Sequence, residues 1–269
     1  MHPEAQPVRA LPQRTPLQIQ LAVLYALLVR ETKTRAGSLR LGYFWAIAEP
    51  AVHVIVLSVM FTVLMRNTIP GVSYPMFVLT GIIPFFLFKN VVLRSMAAVQ
   101  ANKGLFNYRQ VRPLDALLAR AALEILLLLL AAVLLLVLAA WLRFDIGVER
   151  PLELVAAALL MSLLGLGVGL CVAVAANLAD EVQKIVPMLM QPLYLMSGIF
   201  WPIHMIPQKY WHLLLWNPAL HGIELTRDAY FSQYQAPAAS WEYLGTWVVA
   251  SLFLGLVLYR RYWPRMVAQ

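Results

Sequence analysis

The chain has 269 residues, of which 61% are hydrophobic and 13% are charged, and its mean hydropathy is +0.72. Soluble domains contain about 45–50% apolar and about 25% charged residues, so this composition predicts a membrane protein. It excludes a soluble enzyme, a secreted disulfide-linked domain and a disordered chain. The single cysteine, Cys171, excludes an internal disulfide and a zinc site built from several cysteines. The net charge of +8 is expected to report membrane topology first and anionic partners second.

Residues 1–40 are expected to form a cytoplasmic tail followed by an amphipathic helix on the membrane surface. The apolar stretch 17–29 is too short to span a bilayer, and no small-x-small cleavage motif follows it, which argues against a signal peptide. Thr15 and Pro16 are typical of a helix start, and a charged run follows at 30–35. We therefore predict an interfacial helix that is not removed.

Six membrane-spanning helices are predicted in the transmembrane domain, residues 41–269, because about 20 mainly apolar residues cross a bilayer core of about 30 Å. Their expected limits are 41–65, 74–99, 116–142, 152–176, 185–206 and 243–259. The fifth is expected to be broken by prolines, namely Pro187, Pro192, Pro202 and Pro207. In the fourth, Gly165 and Gly169 have the spacing that lets membrane helices approach closely. The predicted fold class is an all-α integral membrane protein.

Basic residues are unequally distributed between the two sides of this arrangement. Fourteen lie on the side that carries both termini, and five lie on the opposite side. Because cytoplasmic connections carry an excess of Lys and Arg, both termini are predicted to be cytoplasmic.

The segment 197–234 is apolar but too rich in proline to form a simple spanning helix. Non-helical backbone at membrane depth needs protein or a water-lined cavity to satisfy its polar groups. We predict two short helices that re-enter the membrane from the external face, with an external loop on the headgroups as the alternative. A capping and pairing network is expected at Asn217, Pro218, His221, Glu224 and Arg227.

Ionisable residues within the predicted spans are costly and are therefore candidates for function. Glu49 and His53 are one helical turn apart and could pair. Arg120 and Glu124 have the same spacing and are expected to form a local structural pair. Lys89 has no evident partner and is expected to face Pro84, Phe85 and Phe86 in its own helix, which makes it a candidate for an anion pathway.

The sequence contains neither a Walker A motif nor an H-E-x-x-H motif, so no nucleotide or catalytic metal is expected to bind this chain. If ATP energises transport, another chain has to bind it. The polar, basic and aromatic loop 102–109 is the expected docking element.

Three separated motifs carry a resemblance to a known family. The first is R-E-T-K-T-R at 30–35, followed by L-G-Y-F-W-A-I-A-E-P at 41–50. The second is G-L-F-N-Y-R at 104–109, followed by V-R-P-L-D at 111–115. The third is Y-W at 210–211, followed by L-W-N-P-A-L-H-G-I-E-L-T-R at 215–227. In this order they resemble ABC-2-type permeases that export polysaccharides, and most specifically the permeases of group 2 capsule exporters in Gram-negative bacteria.

The resemblance implies a homodimer of six-span permeases that works with two cytosolic ATPase subunits, which would bind ATP and Mg²⁺. The implied cargo is a lipid-linked acidic capsular polysaccharide that crosses the inner membrane, with periplasmic and outer-membrane proteins completing the path. Membrane lipids are further expected contacts, and no nucleic-acid partner is expected. ATPase coupling maps to the interfacial helix and the first cytoplasmic loop, at Arg30, Lys33, Arg35, Lys103, Phe106, Asn107, Tyr108, Arg109, Arg112 and Asp115.

A continuous channel at the dimer interface suits a long anionic polymer better than a small enclosed pocket. Basic groups would offset the desolvation of cargo carboxylates, and aromatic rings would contact sugar faces. The residues predicted to line the pathway are Arg40, Tyr43, Trp45, Glu49, His53, Lys89, Arg94, Tyr194, Phe200, Trp201, His204, Trp211 and Trp216. The alternatives are export of O-antigen, teichoic acid or small hydrophobic molecules by the same fold, and a membrane enzyme of polysaccharide assembly that would use His221, Glu224 and Asp228.

Overall fold

The computed structural model describes residues 15–36, 42–64, 72–108 and 110–268. Within these ranges the chain is helical and contains no β-strand, which confirms the predicted all-α class. The longer helices are α1 (Pro16–Ala36), α2 (Gly42–Leu64), α3 (Tyr74–Met96), α5 (Pro113–Trp141), α6 (Pro151–Leu178), α7 (Val182–Met196) and α9 (Trp241–Ala268). Two shorter helices are α4 (Ala98–Ala101) and α8 (Pro218–Tyr230), and 3₁₀ turns cover Lys103–Leu105, Ile203–Met205 and Gln208–Leu213.

Four of the described helices are long and apolar enough to cross a membrane, judged by length and composition. These are α3, α5, α6 and the part of α9 at Trp241–Val267. α2 contains a shorter apolar stretch, Ile47–Met60, and α7 has only 15 residues. The predicted count of six spans therefore depends on α2 and α7.

Proline residues mark the first turns of several helices, because their missing N–H would have no partner there in any case. α1 begins at Pro16, as predicted, and the Thr15 hydroxyl accepts a hydrogen bond from the Gln18 backbone at 3.4 Å. α5 begins at Pro113, and the Asp115 carboxylate accepts a hydrogen bond from the Arg112 backbone N–H at 2.9 Å. The same helix-start chemistry recurs at α6 and α8.

α3 lies at the centre of the molecule and packs against α2, α5, α6 and α8. Its contact with α6 is close because α6 presents glycines. A Cβ atom at Gly165 would lie 2.9 Å from the Phe88 carbonyl oxygen, and one at Gly169 would lie 2.8 Å from Ser95 Cβ. The predicted close approach through these two glycines is confirmed, and the partner helix is α3.

The fifth predicted span differs from its expected form. Pro187 and Pro192 lie inside α7 and do not break it, whereas the helix ends at Met196. Gly198 follows with a φ of +72°, a backbone conformation that glycine adopts without steric cost. Proline is tolerated within membrane helices because neighbouring groups compensate for the missing hydrogen bond. The sixth predicted span is also longer than expected, since α9 continues beyond Tyr259 to Ala268.

Candidate functional site

Lys89 on α3 and Glu49 on α2 form an ion pair, with 3.0 Å between Nζ and Oε1. The ammonium group also lies 3.9 Å from the centroid of the Phe86 ring. The expectation that Lys89 has no evident partner is therefore wrong, because packing of α2 on α3 places a carboxylate opposite it. The expected Glu49–His53 side-chain pair is not formed either. His53 Nδ1 instead lies 2.8 Å from the backbone carbonyl oxygen of Glu49.

A row of aromatic rings continues from this ion pair to the end of α7. The ring centroid of Tyr194 lies 6.1 Å from that of His53 and 5.2 Å from that of Phe85. The ring centroid of Phe200, just beyond the end of α7, lies 5.4 Å from that of Tyr194 and 5.8 Å from that of Trp201. The structure thus brings together six predicted pathway residues, which we call the pathway face: Glu49, His53, Lys89, Tyr194, Phe200 and Trp201.

Two buried aromatic residues pack against the pathway face. Phe85 contacts Tyr194, and Phe86 contacts His53 and lies below the Lys89 ammonium. They precede Lys89 by four and three residues, and this spacing places side chains on one side of a helix. The sequence-based expectation that Lys89 faces this stretch of its own helix agrees with the contact to Phe86.

Arg94 is also on α3 but on a different face from Lys89. Its Nε lies 3.5 Å from Glu124 Oε1 on α5, and more than half of its side chain is exposed. Trp45 lies near the start of α2 and packs edge-on against Phe44, with 5.8 Å between the ring centroids. Arg40 lies outside the described residues, and so does the side chain of Tyr43.

The remaining predicted pathway residues lie in the irregular segment between α7 and α8. The His204 ring centroid is 5.8 Å from that of Tyr234. Trp211 Nε1 donates a hydrogen bond to the Ile206 carbonyl at 2.8 Å. The Trp216 carbonyl oxygen accepts a hydrogen bond from the hydroxyl of Tyr243, near the start of α9, also at 2.8 Å. One of these contacts is internal to the segment, and the other two join it to Tyr234 and to α9.

Arg227 on α8 is fully buried and holds the chain where α7 ends. Its guanidinium donates hydrogen bonds to the carbonyl oxygens of Gly198 at 2.6 Å and Ile199 at 2.9 Å. It also lies 3.2 Å from Glu224 Oε1 and 3.6 Å from the centroid of the Phe77 ring on α3. A buried charge is tolerated only when it is paired and hydrogen-bonded, and Arg227 meets both conditions.

The carboxylate of Glu224 is shared between Arg227 and Tyr234. The Tyr234 hydroxyl donates a hydrogen bond to Glu224 Oε2 at 2.6 Å. Burial raises the pKa of Tyr234, and the nearby negative charge of Glu224 raises it further. Tyr234 therefore keeps its proton, and remains a donor, across the physiological pH range.

Asn217 caps α8 and connects it to the end of α7. Its side-chain oxygen accepts a hydrogen bond from the Ala219 backbone at 3.0 Å, and Pro218 occupies the first helical position. Its Nδ2 donates to the Ser197 hydroxyl at 3.0 Å. The beginning of α8 therefore lies directly beside the residue at which α7 stops.

His221 is held as a neutral ring by two backbone groups. Its Nδ1 accepts a hydrogen bond from the Ser240 N–H at 3.0 Å, and because this N–H can only donate, Nδ1 carries no proton. The proton lies on Nε2, which is 2.8 Å from the Leu215 carbonyl oxygen. The residues Asn217, Pro218, His221, Glu224 and Arg227 thus provide a helix cap, two backbone contacts and an ion pair along α8.

An ion pair joins the loop between α5 and α6 to the end of α8. Arg150 lies 2.6 Å from Asp228 Oδ2 and 2.9 Å from Glu153 Oε2. The hydrogen bond to Asp228 raises the pKa of the Arg150 guanidinium. Asp228 is therefore paired with Arg150, whereas Glu224 is paired with Arg227.

α1 is joined to α4 and α5 by a second set of polar contacts. Arg120 on α5 pairs with Glu31 on α1, with 2.9 Å between Nε and Oε2. Glu124 pairs with Arg35 on α1 and with Arg94 on α3. The expected local Arg120–Glu124 pair is wrong, because α1 supplies a separate opposite charge to each residue. We call these five residues the α1 cluster.

Other contacts extend the α1 cluster along the helix. Asn102 receives a hydrogen bond from Arg30 and donates one to Glu31 Oε1 at 2.9 Å. Gln20 Nε2 donates to Asp115 Oδ1 at 2.6 Å. Leu17, Leu21 and Tyr25, spaced at one-turn intervals, remain exposed. α1 therefore bonds to the protein through Gln20, Arg30, Glu31 and Arg35 and leaves this apolar stripe exposed.

The residues predicted to couple to an ATPase divide into exposed and internal groups. Lys33, Lys103, Asn107 and Tyr108 are exposed. Phe106 is buried against Val99, Ala116, Val174 and Met266, and Asp115 is buried within hydrogen bonds. Arg30 and Arg35 bond within the protein, Arg112 is exposed at the start of α5, and Arg109 lies outside the described residues.

The helices and the polar clusters described above define a polytopic helical membrane protein that contains ion pairs among its apolar helices. Residues 22–231 match the ABC-2 type transporter family, and the chain belongs to this family. The predicted family and the prediction of a transport subunit are both confirmed.

Several curated proteins are similar over most of the chain. The polysialic acid transport protein KpsM of Escherichia coli is 42% identical over 248 residues, which cover 92% of this chain and 96% of that protein. The capsule polysaccharide export inner-membrane protein BexB of Haemophilus influenzae is 29% identical, covering 91% and 93% of the two chains. The corresponding protein CtrC of Neisseria meningitidis serogroup B is 31% identical, covering 80% and 81%.

Proposed function

We propose that this chain is the permease subunit of an ATP-driven exporter that moves lipid-linked acidic capsular polysaccharide across the inner membrane. The 42% identity to a polysialic acid transport protein over 96% of that protein carries the proposal. The names of BexB and CtrC point to the same cargo class and the same membrane. Polysialic acid is a carboxylated polymer, so an acidic cargo agrees with a cation on the pathway face.

Six spans are proposed, with α2 and α7 added to the four helices that are long enough by themselves. α2 has 23 residues, enough for about 34 Å at about 1.5 Å per residue. α7 covers about 22 Å by the same rise, and the chain continues beyond it without helical structure. The distribution of basic residues supports cytoplasmic termini in this arrangement.

The segment from Ser197 to α8 is proposed to re-enter the membrane from the external side. Arg227 satisfies backbone carbonyls at Gly198 and Ile199 and also lies against Phe77, one turn inside α3. This is the internal satisfaction that non-helical backbone requires at membrane depth. The hydrogen bond between Asn217 and Ser197 joins the two ends of the irregular segment, which supports a segment that enters and leaves the membrane on the same side.

The pathway face is proposed to line a channel between two copies of the chain. Lys89 would attract cargo carboxylates, while the aromatic row offers contact with sugar faces that does not depend on their sequence. Two cytosolic ATPase subunits, which bind ATP and Mg²⁺, would dock at α1 and at the exposed part of loop 102–108. Periplasmic and outer-membrane proteins would continue the route to the cell surface.

Deletion of this chain in its host, followed by localisation of acidic polysaccharide, tests the function. Export predicts loss of the polymer from the surface and its accumulation in the cytoplasm. Absence from both places would contradict export and indicate a role in synthesis. Unchanged surface polymer would contradict the cargo, and stimulation of the complex's ATPase by hydrophobic compounds would then support a small-molecule exporter.

A further inference from the structure

A cleft of about 190 Å³ lies where α1, α3 and α5 meet. Its charged lining comes from the α1 cluster, and Thr34 and Leu123 complete it. Three arginines, Arg35, Arg94 and Arg120, face only two carboxylates there, Glu31 and Glu124. The cleft therefore has an excess of one positive charge before its surroundings are considered.

The groups around the cleft increase this excess. Arg30 lies on the same helix and bonds to Asn102, which is neutral and does not balance its charge. Lys33 is exposed on α1 between the two arginines of that helix. On the side of α3, Arg94 is held only loosely, at 3.5 Å from Glu124, and more than half of its side chain is exposed. An anion could therefore reach its guanidinium without displacing the buried Arg120–Glu31 pair.

The position of the cleft relative to the apolar surface identifies the kind of anion. Leu123, at the edge of the cleft, begins a stripe of side chains on α5 that recur at spacings of three and four residues, so they share one helical face. The members beyond the cleft are exposed, namely Leu126, Leu130, Val133 and Val137. A charged cleft thus opens at the end of an apolar stripe that is long enough to accompany an acyl chain.

α1 carries a second apolar surface, in its N-terminal half. Its exposed stripe of Leu17, Leu21 and Tyr25 is suited to the boundary between headgroups and acyl chains. Glu31, Thr34 and Arg35, further along the same helix, line the cleft. An α1 helix that lies along this boundary would place the cleft at the level of the headgroups.

We propose that this cleft is a binding site for the phosphate group of an acidic phospholipid, with Arg94 as its principal contact and an acyl chain along the exposed stripe of α5. Arginine is suited to this role because its planar guanidinium can donate two parallel hydrogen bonds to phosphate oxygens. Occupation would supply the negative charge that the two glutamates do not provide, and would anchor α1 to the bilayer.

Native mass spectrometry of the purified protein tests this site directly, without reference to export. The protein is titrated with phosphatidylglycerol in a neutral detergent, and the bound lipid is counted. Arg94→Gln is expected to weaken the tightest binding step about five-fold, the effect of one basic group at a membrane surface. Arg94→Lys keeps the charge and should retain most of the affinity. Arg260→Gln, at an exposed arginine of α9, is the matched control and should leave this step unchanged.

Two further comparisons separate the possible sources of the phosphate. Phosphatidylcholine, which has the same acyl chains and no net charge, should bind at least five-fold more weakly than phosphatidylglycerol. Inorganic phosphate at equal concentration should not displace the lipid, since it lacks the contact with α5. Equal binding of phosphatidylglycerol by the parent and Arg94→Gln proteins would overturn the site. Displacement of the lipid by inorganic phosphate would overturn its assignment to a phospholipid.

Discussion

Lys89 lies on α3, the most buried of the four described helices that are long enough to cross a membrane, between a carboxylate and an aromatic ring. Its ammonium nitrogen lies 3.0 Å from Glu49 Oε1. A carboxylate of the polymer can take over this contact, because the two partners are of the same chemical kind. Glu49 lies on the less tightly packed α2, and close to half of its side chain is exposed.

Lys89→Gln should therefore reduce export about ten-fold, the effect of losing about 1.4 kcal/mol of attraction. Glu49→Gln should not reduce it, because Lys89 remains available to the cargo. Lys209→Gln is a matched control, since Lys209 also lies over an aromatic ring, at 4.7 Å from the Tyr210 centroid, outside the pathway face. Export is measured as surface polymer at equal protein levels. Normal export by Lys89→Gln would remove Lys89 from the pathway.

Gly81 provides the space that Arg227 occupies. A Cβ atom there would lie 2.7 Å from Arg227 Nη2 and 3.4 Å from the Ile199 Cα. Gly81→Ala should lower the free energy of unfolding by about 1–3 kcal/mol, the usual cost of overpacking. Gly245→Ala is the control, since a Cβ atom there meets no atom within 4 Å. Thermal unfolding followed by tryptophan fluorescence compares the two, and equal midpoints would contradict the packing described for Arg227.

The ionisable residues that lie in apolar surroundings could be identified from the sequence, but the residues with which they form ion pairs could not. Glu49, Lys89, Arg120 and Glu124 were all recognisable as charges in apolar surroundings. Spacing along one helix then suggested local pairs. The actual pairs join different helices, because packing brings α2 and α1 alongside α3 and α5, and this packing cannot be derived from periodicity within a single helix.

α1 illustrates the same limit for a whole element. Its start at Thr15 and Pro16 followed from helix-capping chemistry, and its apolar stretch was evident. The direction in which its polar side chains point was not, because it depends on charges located about 90 residues further along the chain. The sequence-based prediction also misplaced the helix break near the end of α7. It used the prolines as the only signal of a break and did not consider Gly198.

Glu31 is the residue on which the attachment of α1 depends most directly. Glu31→Ala leaves Arg120 without its carboxylate and removes one of the two acceptors of the Asn102 amide, a loss of about 1–3 kcal/mol. Trypsin should then cleave nanodisc-embedded protein between residues 30 and 35 several times faster. Glu153→Ala, which removes a partly exposed carboxylate paired with Arg150 at a different site, should leave this cleavage unchanged. An unchanged rate in Glu31→Ala would show that these bonds do not hold α1.

At the scale of the whole molecule, the six-span arrangement places Lys184 and Lys209 on opposite sides of the membrane. The test uses a Cys171→Ser background, which removes the only native thiol. Lys209→Cys should react with a membrane-impermeant maleimide in cells with a permeabilised outer membrane. Lys184→Cys should react only after the inner membrane is opened. Labelling of both positions from outside would contradict six spans with cytoplasmic termini.

The attachment of α1 to α5 has a consequence for biogenesis. α1 leaves the ribosome before α5, and Asp115 and Glu124 on α5 are separated from their α1 partners by 95 and 89 residues. Until α5 has been made, Gln20 and Arg35 lack these partners, while Leu17, Leu21 and Tyr25 can already enter the bilayer surface. Attachment of α1 through these bonds therefore follows the synthesis of α5, although α1 precedes α5 in the chain.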